Sequence, residues 1–422
     1  MELCYNTMKY KLLYILLILF FFSGCKDAEP DQRDLAIIRT QIPKDVDETG
    51  ATFEAEIIVP GKSPATAYGF VWGIEDPTIE NSDKISLAEN LGSGKISYRI
   101  DHALAGGIKY KIRAFAMSEN KIIYGNTISF MSKGSTHNGW SIVKSVLPYT
   151  STWIGSNSVW ETLSYGCSDN EFGYVLYNNA EMLRFDPSTN EFSRLNNYPV
   201  IGNEYTKFTA VVSGKTQYYF SNISAKLYRF QDGEWSIQSP IPFQYWRSNG
   251  YFQGLSVNNN IYILSPYVSY MYDPKTDIWF KKAICPVDLV GGTTLNGKAY
   301  VMDSGKNIWE YNAGNDTWII KTKFPGIKYT GLLSFSYRNE IYFGFYGGYK
   351  NHSNLNDYRL WSYNIVSDKW QMLEKFPFIF TGDDFFNFFT KNNLYIGVVM
   401  RESTSSYTIL KYDPSKFNGL TE

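Results

Sequence analysis

Between Asp45 and Met131 the chain alternates apolar and polar positions with the period of a β-strand. Ala51, Phe53, Ala55 and Ile57 share one parity and Thr52, Glu54 and Glu56 the other, so one face of this segment suits a core and the other suits water. Tyr68 to Trp72, Ile96 to Ile100, Lys109 to Met117 and Ile122 to Phe130 continue the pattern, and Gly92 and Gly94 punctuate it. About seven short strands in roughly 95 residues predict a two-sheet sandwich.

From Trp140 onward the pattern becomes a repeat. Pro199, Pro242, Pro286, Pro325 and Pro377 each lie seven residues after an aromatic, namely Phe192, Trp235, Trp279, Trp318 and Trp370. A second aromatic stands seven residues before the first in four of these units, at Phe185, Tyr272, Tyr311 and Tyr363. Phe230 shortens that offset to five, around Asp232-Gly233. Upstream in every unit comes a strand with a tyrosine: Tyr174, Tyr219, Tyr262, Tyr300, Tyr342 and Tyr395. The anchors from Phe192 to Trp370 are spaced by 43, 44, 39 and 52 residues. A unit of that length predicts a four-stranded antiparallel blade, and radial closure of such blades protects edges that a linear stack would expose.

The motif Tyr272-Asp273-Pro274 through Thr276 to Trp279 and Pro286, after a Tyr-bearing strand, resembles the kelch repeat. The kelch double glycine is nearly absent, with Gly347-Gly348 close to its place in one unit only. The resemblance implies an all-β chain ending in a six-bladed kelch-like β-propeller. The sixth unit runs out after Asp413-Pro414, and Trp140 to Pro148 resembles the missing outer strand, so the N-terminal side is expected to close the last blade. The earlier segment, with Tyr68-Gly69-Phe70-Val71-Trp72 and a Leu104…Tyr110 pair that looks like a tyrosine corner, resembles the immunoglobulin/fibronectin III-like sandwich of Bacteroidetes lipoproteins. Its expected role is a spacer that holds the ring away from a membrane.

The start of the chain suggests an address. Lys9 and Lys11 precede an apolar run from Leu12 to Phe22 that ends in Ser23-Gly24-Cys25. Eleven apolar residues are too few for a spanning helix, which needs about 20, and a basic flank with small residues after the run reads as an export signal. Phe22-Ser23-Gly24-Cys25 resembles the lipobox of bacterial lipoproteins, which implies lipidation at Cys25 and residence in the envelope, at the outer membrane. The expected organisation is therefore a signal peptide at 1–24, a tether at 25–35, the sandwich at 36–132, a linker at 133–139 and the propeller at 140–422.

Composition narrows the function. Forty basic and 41 acidic residues, with no long basic run, exclude the electrostatic footprint of a nucleic-acid binder. Cys167 and Cys285 are far apart in sequence and are expected as free, buried thiols. Only three histidines exist, His102, His137 and His352, so no two- or three-histidine copper or zinc site fits within the repeat, and no cofactor or metal is expected. Gly-x-Ser-x-Gly, phosphate-loop and His-Glu-x-x-His motifs are also missing, and no catalytic residue is assigned.

The distance from the strand tyrosine to the next aromatic is 10 or 11 in the first four units, but 21 in the fifth and 17 in the sixth. These insertions and the blade-to-blade connections are expected at one end of the ring. They carry Trp153, Tyr205, Trp246, Arg247, Tyr329, Tyr349, His352, Asp383 and Asp384, an aromatic set with a few charged groups suited to stacking on a sugar and bonding its hydroxyls. The leading expectation is recognition of a glycan or related small ligand. A scaffold role in an envelope protein complex is the alternative, and a mutarotase- or epimerase-like sugar enzyme, as in some kelch-like propellers, is a further one. Replacing Cys25 with Ser is expected to release the protein from the membrane fraction, and unchanged fractionation would contradict the lipid anchor.

Overall fold

The computed structural model describes residues 35–61, 65–87, 93–118, 121–148, 165–177, 181–199, 208–221, 225–242, 253–326, 331–346, 359–376, 380–400 and 406–416. Apart from one 3-10 turn at Pro414–Lys416, every regular element among them is a β-strand.

Nine strands come first: β1 (Ile37–Thr40), β2 (Lys44–Asp47), β3 (Gly50–Val59), β4 (Ala67–Gly73), β5 (Asp83–Leu87), β6 (Gly94–Ile100), β7 (Lys109–Ser118), β8 (Lys121–Tyr124) and β9 (Ile128–Met131). They form two antiparallel sheets, β1-β3-β2 with β6 on β3, and β5-β4-β7-β8 with β9 on β7. Alternation along β3 buries Ala51, Phe53, Ala55 and Ile57. Phe53 meets Phe70 and Trp72 of the other sheet edge-on, at 5.8 and 5.6 Å between ring centroids. The buried Tyr110 hydroxyl accepts the Ala105 N–H at 3.0 Å and so pins the turn that precedes its own strand.

The closing strand β10 (Trp140–Pro148) is followed by five four-stranded sheets and a sixth that takes β10 as a member. Sheet 1 is β11 (Tyr165–Ser168), β12 (Gly173–Tyr177), β13 (Glu181–Asp186) and β14 (Glu191–Arg194). Sheet 2 is β15 (Phe208–Ser213), β16 (Thr216–Ser221), β17 (Leu227–Gln231) and β18 (Glu234–Ile237). Sheet 3 is β19 (Gln253–Val257), β20 (Asn260–Leu264), β21 (Tyr270–Asp273) and β22 (Ile278–Lys281). Sheet 4 is β23 (Leu289–Leu295), β24 (Lys298–Asp303), β25 (Asn307–Asn312) and β26 (Thr317–Lys323). Sheet 5 is β27 (Gly331–Tyr337), β28 (Glu340–Tyr346), β29 (Arg359–Asn364) and β30 (Lys369–Lys375). Sheet 6 is β31 (Phe380–Thr390), β32 (Asn393–Met400) and β33 (Ser406–Tyr412), with β10 on the far side of β33.

The first strands of the six sheets neighbour one another in cyclic order, and β31 returns onto β11. An all-β arrangement of this kind is compatible with a propeller. Close approach at the centre demands small residues there: a Cβ on Gly166 would lie 2.3 Å from the Asn387 carbonyl oxygen of the neighbouring sheet. Hydroxyls lace the central strands together, with Ser168, Ser334 and Ser336 donating to the carbonyls of Phe389, Gly292 and Thr294 at 2.6, 2.8 and 2.7 Å.

The seven-residue offset has a direct cause. Tyr272, Tyr311 and Tyr363 pair across the third and fourth strands with Trp279, Trp318 and Trp370, and four residues make the turn between. Each turn ends on an aspartate with positive φ, at Asp277, Asp316 and Asp368, and that aspartate accepts the tyrosine hydroxyl five residues upstream. Sheet 2 uses the shorter Asp232-Gly233 turn, both residues at positive φ, which gives its offset of five.

The tryptophan then reaches the sheet before it. Trp235, Trp279 and Trp318 donate their indole N–H to the carbonyls of Asn196, Ser239 and Ala283 at 3.0, 2.9 and 3.2 Å, and Trp370 donates to Thr322 Oγ1 at 3.1 Å. Each acceptor lies four residues after the anchor aromatic of its own sheet. Asp277 and Asp316 strengthen the same seam by accepting the Ser239 and Ala283 N–H groups at 2.9 and 3.0 Å.

Sheet 6 builds this seam from the two ends of the folded region. Trp140 pairs with Tyr412 at 4.8 Å between centroids, the same contact that Tyr311 and Trp318 make at 4.8 Å within one hairpin. No turn joins β33 to β10, so no turn aspartate is available. Glu374, from the preceding sheet, takes its place: it accepts the Tyr412 hydroxyl at 2.8 Å and the Gly139 N–H at 3.1 Å.

The sandwich is built into this closure. Gly106 donates to the Trp140 carbonyl at 3.1 Å and accepts from the Ile142 N–H at 2.9 Å, so a sandwich loop pairs with the outer edge of β10. Lys375 of β30 reaches Asp83 of β5 at 3.1 Å, and one apolar cluster runs from Phe53 and Trp72 through Trp140 to Leu333 and Leu410. Residues 133–139 are correspondingly fixed, with Ser135 and Asn138 buried at the junction.

Burial raises the pKa of Glu374, and the bonds from its own backbone, Tyr412 and Gly139 only partly oppose that. A carboxyl raised in the folded state contributes stability below its unfolded value of about 4.3 and loses it as pH rises through the folded value. The melting temperature of the wild type relative to Glu374→Gln is therefore expected to be highest at or below about pH 4.3 and to fall as pH rises above it. A difference that stays constant over that rise would show that Glu374 does not titrate there.

Candidate functional site

Each sheet has two unlike ends. At one end the first and second strands are joined by tight turns whose residues take positive φ, as at Asn258-Asn259, Asn296-Gly297 and Lys391-Asn392, and the aspartate turns lie at the same end. Connections from second to third strands, and from each fourth strand to the next sheet, leave from the other end.

None of the nine ligand residues expected from the sequence has a described side chain. Trp153, Tyr205, Trp246, Arg247, Tyr329, Tyr349 and His352 lie outside the described residues, as does Cys25. Asp383 and Asp384 have their backbone in β31, and their side chains lie outside the described part. The pairing of β31 with β32 jumps from Phe380↔Met400 to Phe385↔Val398, so residues 381–384 bulge out of the central strand of sheet 6. Bulges bend a strand and re-aim the side chains they carry. A smaller bulge interrupts β23 between Leu289 and Gly291, also toward the connection end of its sheet.

The described side chains at this end divide into supports and exposed groups. Asp303, at the end of β24, is a support. Burial opposes its ionisation, but bonds from the Trp309 indole at 3.0 Å, from the Asn307 side chain and N–H at 2.8 Å each, and from Gly305 hold it below the usual carboxylate range. Both oxygens of that carboxyl accept bonds within one turn. Lys306 in the same turn donates to the Gly326 carbonyl at 2.9 Å and ties it to the next connection.

Tyr267 is different. Ser265 Oγ accepts the N–H groups of Tyr267 and Val268 at 3.2 and 3.0 Å and donates to the Val268 carbonyl at 2.7 Å. That turn presents the Tyr267 side chain 58% exposed. Tyr267 stands outside the repeated aromatic offsets, and its position between two strands in a repeat unit was the available signal.

The two thiols lie apart from any such surface. Burial pushes Cys167 up to about 12, against a contact with the Tyr219 hydroxyl at 3.3 Å. Burial likewise pushes Cys285 up to about 11, eased by the Val287 N–H. Both are free and buried. His102 and His137, from the sandwich and the junction, both approach Asp101, at 3.1 and 3.8 Å. Among the described residues no group of three or more His, Cys, Asp or Glu side chains is arranged to hold a metal ion, and no helix is long and apolar enough to cross a membrane.

No family model matches the chain, and no curated protein does. Among solved structures it is similar to YjhT, at 15% identity and a TM-score of 0.37 over 48% of this chain and 73% of that one. It is also similar to a structural genomics protein of unknown function from Bacteroides thetaiotaomicron VPI-5482, at 8% identity and a TM-score of 0.43 over 91% of this chain and 99% of that one. Likenesses at this level carry no argument about function.

Since only the thiolate reacts appreciably, a thiol reagent at about pH 8 is expected to leave Cys167 and Cys285 unmodified in the folded protein and to label both after denaturation. Mass mapping of the two peptides reads this out, and rapid native labelling of either would contradict its burial.

Proposed function

We propose that the chain is a lipid-anchored envelope protein in which a fibronectin III-like sandwich carries a six-bladed, degenerate kelch-like propeller, and that the connection end of the ring recognises a glycan or related small ligand. The observation that carries this reading is the bulge in β31. It removes residues 381–384, including Asp383 and Asp384, from ladder pairing at the central strand, where a ligand near the axis would meet them. The exposed Tyr267, held on its serine turn, supports the same end of the ring. Aromatic rings cover the C–H faces of a sugar, while carboxylates and an arginine bond its hydroxyls or a ligand carboxylate directionally, so the set with Trp246, Arg247 and Tyr349 fits that class. A shallow site of this kind binds at about millimolar to micromolar Kd, roughly 4 to 8 kcal/mol.

Calorimetric or array screening of the mature protein against plant, host and bacterial polysaccharides tests the proposal. Binding is expected to be lost in Trp246→Ala or Tyr349→Ala, and weakened in Tyr267→Ala and Asp383→Asn, while the melting temperature holds. A ligand whose affinity survives all four changes would reject this site.

A further inference from the structure

The rim of the ring carries its largest described set of exposed apolar side chains at one gap. In each fourth strand the residues on either side of the anchor aromatic turn toward the following sheet, because the anchor itself turns toward the preceding one. At sheets 1 and 2 these flanking positions are Glu191 and Ser193, then Glu234 and Ser236; at sheet 4 they are Thr317 and Ile319, and at sheet 5 Lys369 and Gln371. At sheet 3 they are Ile278 and Phe280. The facing wall, two residues past the next anchor, is Ile320 of β26, on the same side of its strand as Trp318. Ile284, in the connection between the two sheets, completes the set. All four side chains are between 43% and 57% exposed.

These residues are one surface rather than scattered positions. Ala283, next to Ile284, donates to Asp316 at 3.0 Å and accepts from the Trp318 indole at 3.2 Å, which holds the end of β22 against the start of β26. The outer edges of β22 and β26 have no strand partner among the described residues. Lys281 stands on the face of β22 that carries Trp279, Lys282 follows that strand, and Lys321 and Lys323 lie on β26; none has an ion-pair partner among the described residues. In the cyclic order sheet 3 stands opposite sheet 6, so the sandwich, docked on sheets 5 and 6, leaves this side open.

We propose that the gap between sheets 3 and 4 is a docking groove for an extended segment of a partner protein that alternates apolar and acidic residues. An added strand on the free edge of β22 would satisfy unpaired backbone groups, set its apolar side chains between Ile278, Phe280 and Ile320, and present its acidic side chains on the opposite face, toward Lys281 and the adjacent Lys282. Charge decides among the occupants. A second copy would oppose lysines to lysines, which is unfavourable. A bilayer surface takes up apolar groups that stand out from a face, whereas these line the two walls of a gap. This surface lies on the rim, away from the connection end, and does not depend on the glycan reading.

Fluorescence anisotropy with a labelled peptide of alternating Leu and Glu, and with its Leu-Lys counterpart, tests the proposal on the mature protein. The acidic peptide is expected to bind saturably and more weakly as salt rises, and the basic one not to bind. The exposed double change Phe280→Ser with Ile320→Ser is expected to weaken binding by about tenfold or more, and Lys281→Glu with Lys282→Glu to abolish it, both with an unchanged melting temperature. Equal binding of the two peptides, indifference to both variants, or no binding at about millimolar peptide would overturn the inference. Sedimentation with phosphatidylglycerol vesicles, or concentration-dependent self-association, either one lost in the Phe280 and Ile320 variant, would overturn it in favour of a membrane or a second copy.

Discussion

One aromatic contact, between the third and fourth strands of each sheet, organises the ring. It recurs in all six sheets with centroid separations from 4.7 to 5.1 Å: Phe185 with Phe192, Phe230 with Trp235, Tyr272 with Trp279, Tyr311 with Trp318, Tyr363 with Trp370, and Tyr412 with Trp140. Such a pair contributes about 0.5 to 1.5 kcal/mol beyond its burial. Where the anchor is a tryptophan with an acceptor, its N–H also fixes the preceding sheet, for about 0.5 to 1.5 kcal/mol more. One residue thus sets the register of a hairpin and the position of a neighbour. Phe192 lacks the N–H, and the buried Trp140 N–H finds no partner, so the two seams on either side of the chain's own closure are those without this bond.

What those seams lack is supplied by other means. Sheet 6 keeps the aromatic pair but draws its carboxylate from the preceding sheet, so Glu374 links three parts of the chain: β30, β33 and the residue leading into β10. Its burial is the cost of that arrangement, since the same carboxyl in a hairpin turn, as at Asp277, stays near solvent. Burial opposes ionisation at Asp277 too, yet the Ser239 and Tyr272 bonds outweigh it and hold the carboxyl low. The sandwich reinforces the weak side by pairing Gly106 with β10 and by extending one core into sheets 5 and 6. A segment that the sequence suggests as a spacer is, in the folded chain, part of the closure.

Much of this was legible because the repeated residues act locally. Tyr272, Asp277 and Trp279 lie within eight residues of one another, and a four-residue turn with one left-handed position follows from their spacing. The five-residue variant at Phe230 was legible for the same reason, since Asp-Gly specifies a two-residue turn. Nothing in the sequence marks Glu374, whose partners are 38 and 235 residues away, or the register jump in β31, because both are consequences of how distant strands meet. Tyr267 stands outside the repeated aromatic offsets. The other expected ligand residues lie between the repeated positions, where spacing carries no information about where a side chain points.

That contrast explains why the proposed ligand contacts are drawn at one end. At the tight-turn end every residue of the repeat has a structural duty: the turn aspartate takes the tyrosine hydroxyl, and the tryptophan takes the neighbouring carbonyl. A substitution there disturbs register and seam together. At the connection end the strands require only that the chain leave one and enter the next, so the fifth and sixth units can set their aromatics 21 and 17 positions apart where the others set theirs 10 or 11 apart. Asp303 shows what a connection looks like when its carboxylate is spent on the turn itself. Residues 381–384 show the reverse: extra chain drawn out of a central strand, next to a ladder that is intact from Phe385 to Thr390 on one side and would be simpler without them. A fold that holds its shape from one end can keep such a departure at the other without losing stability, which is why the proposed site is drawn at residues 381–384.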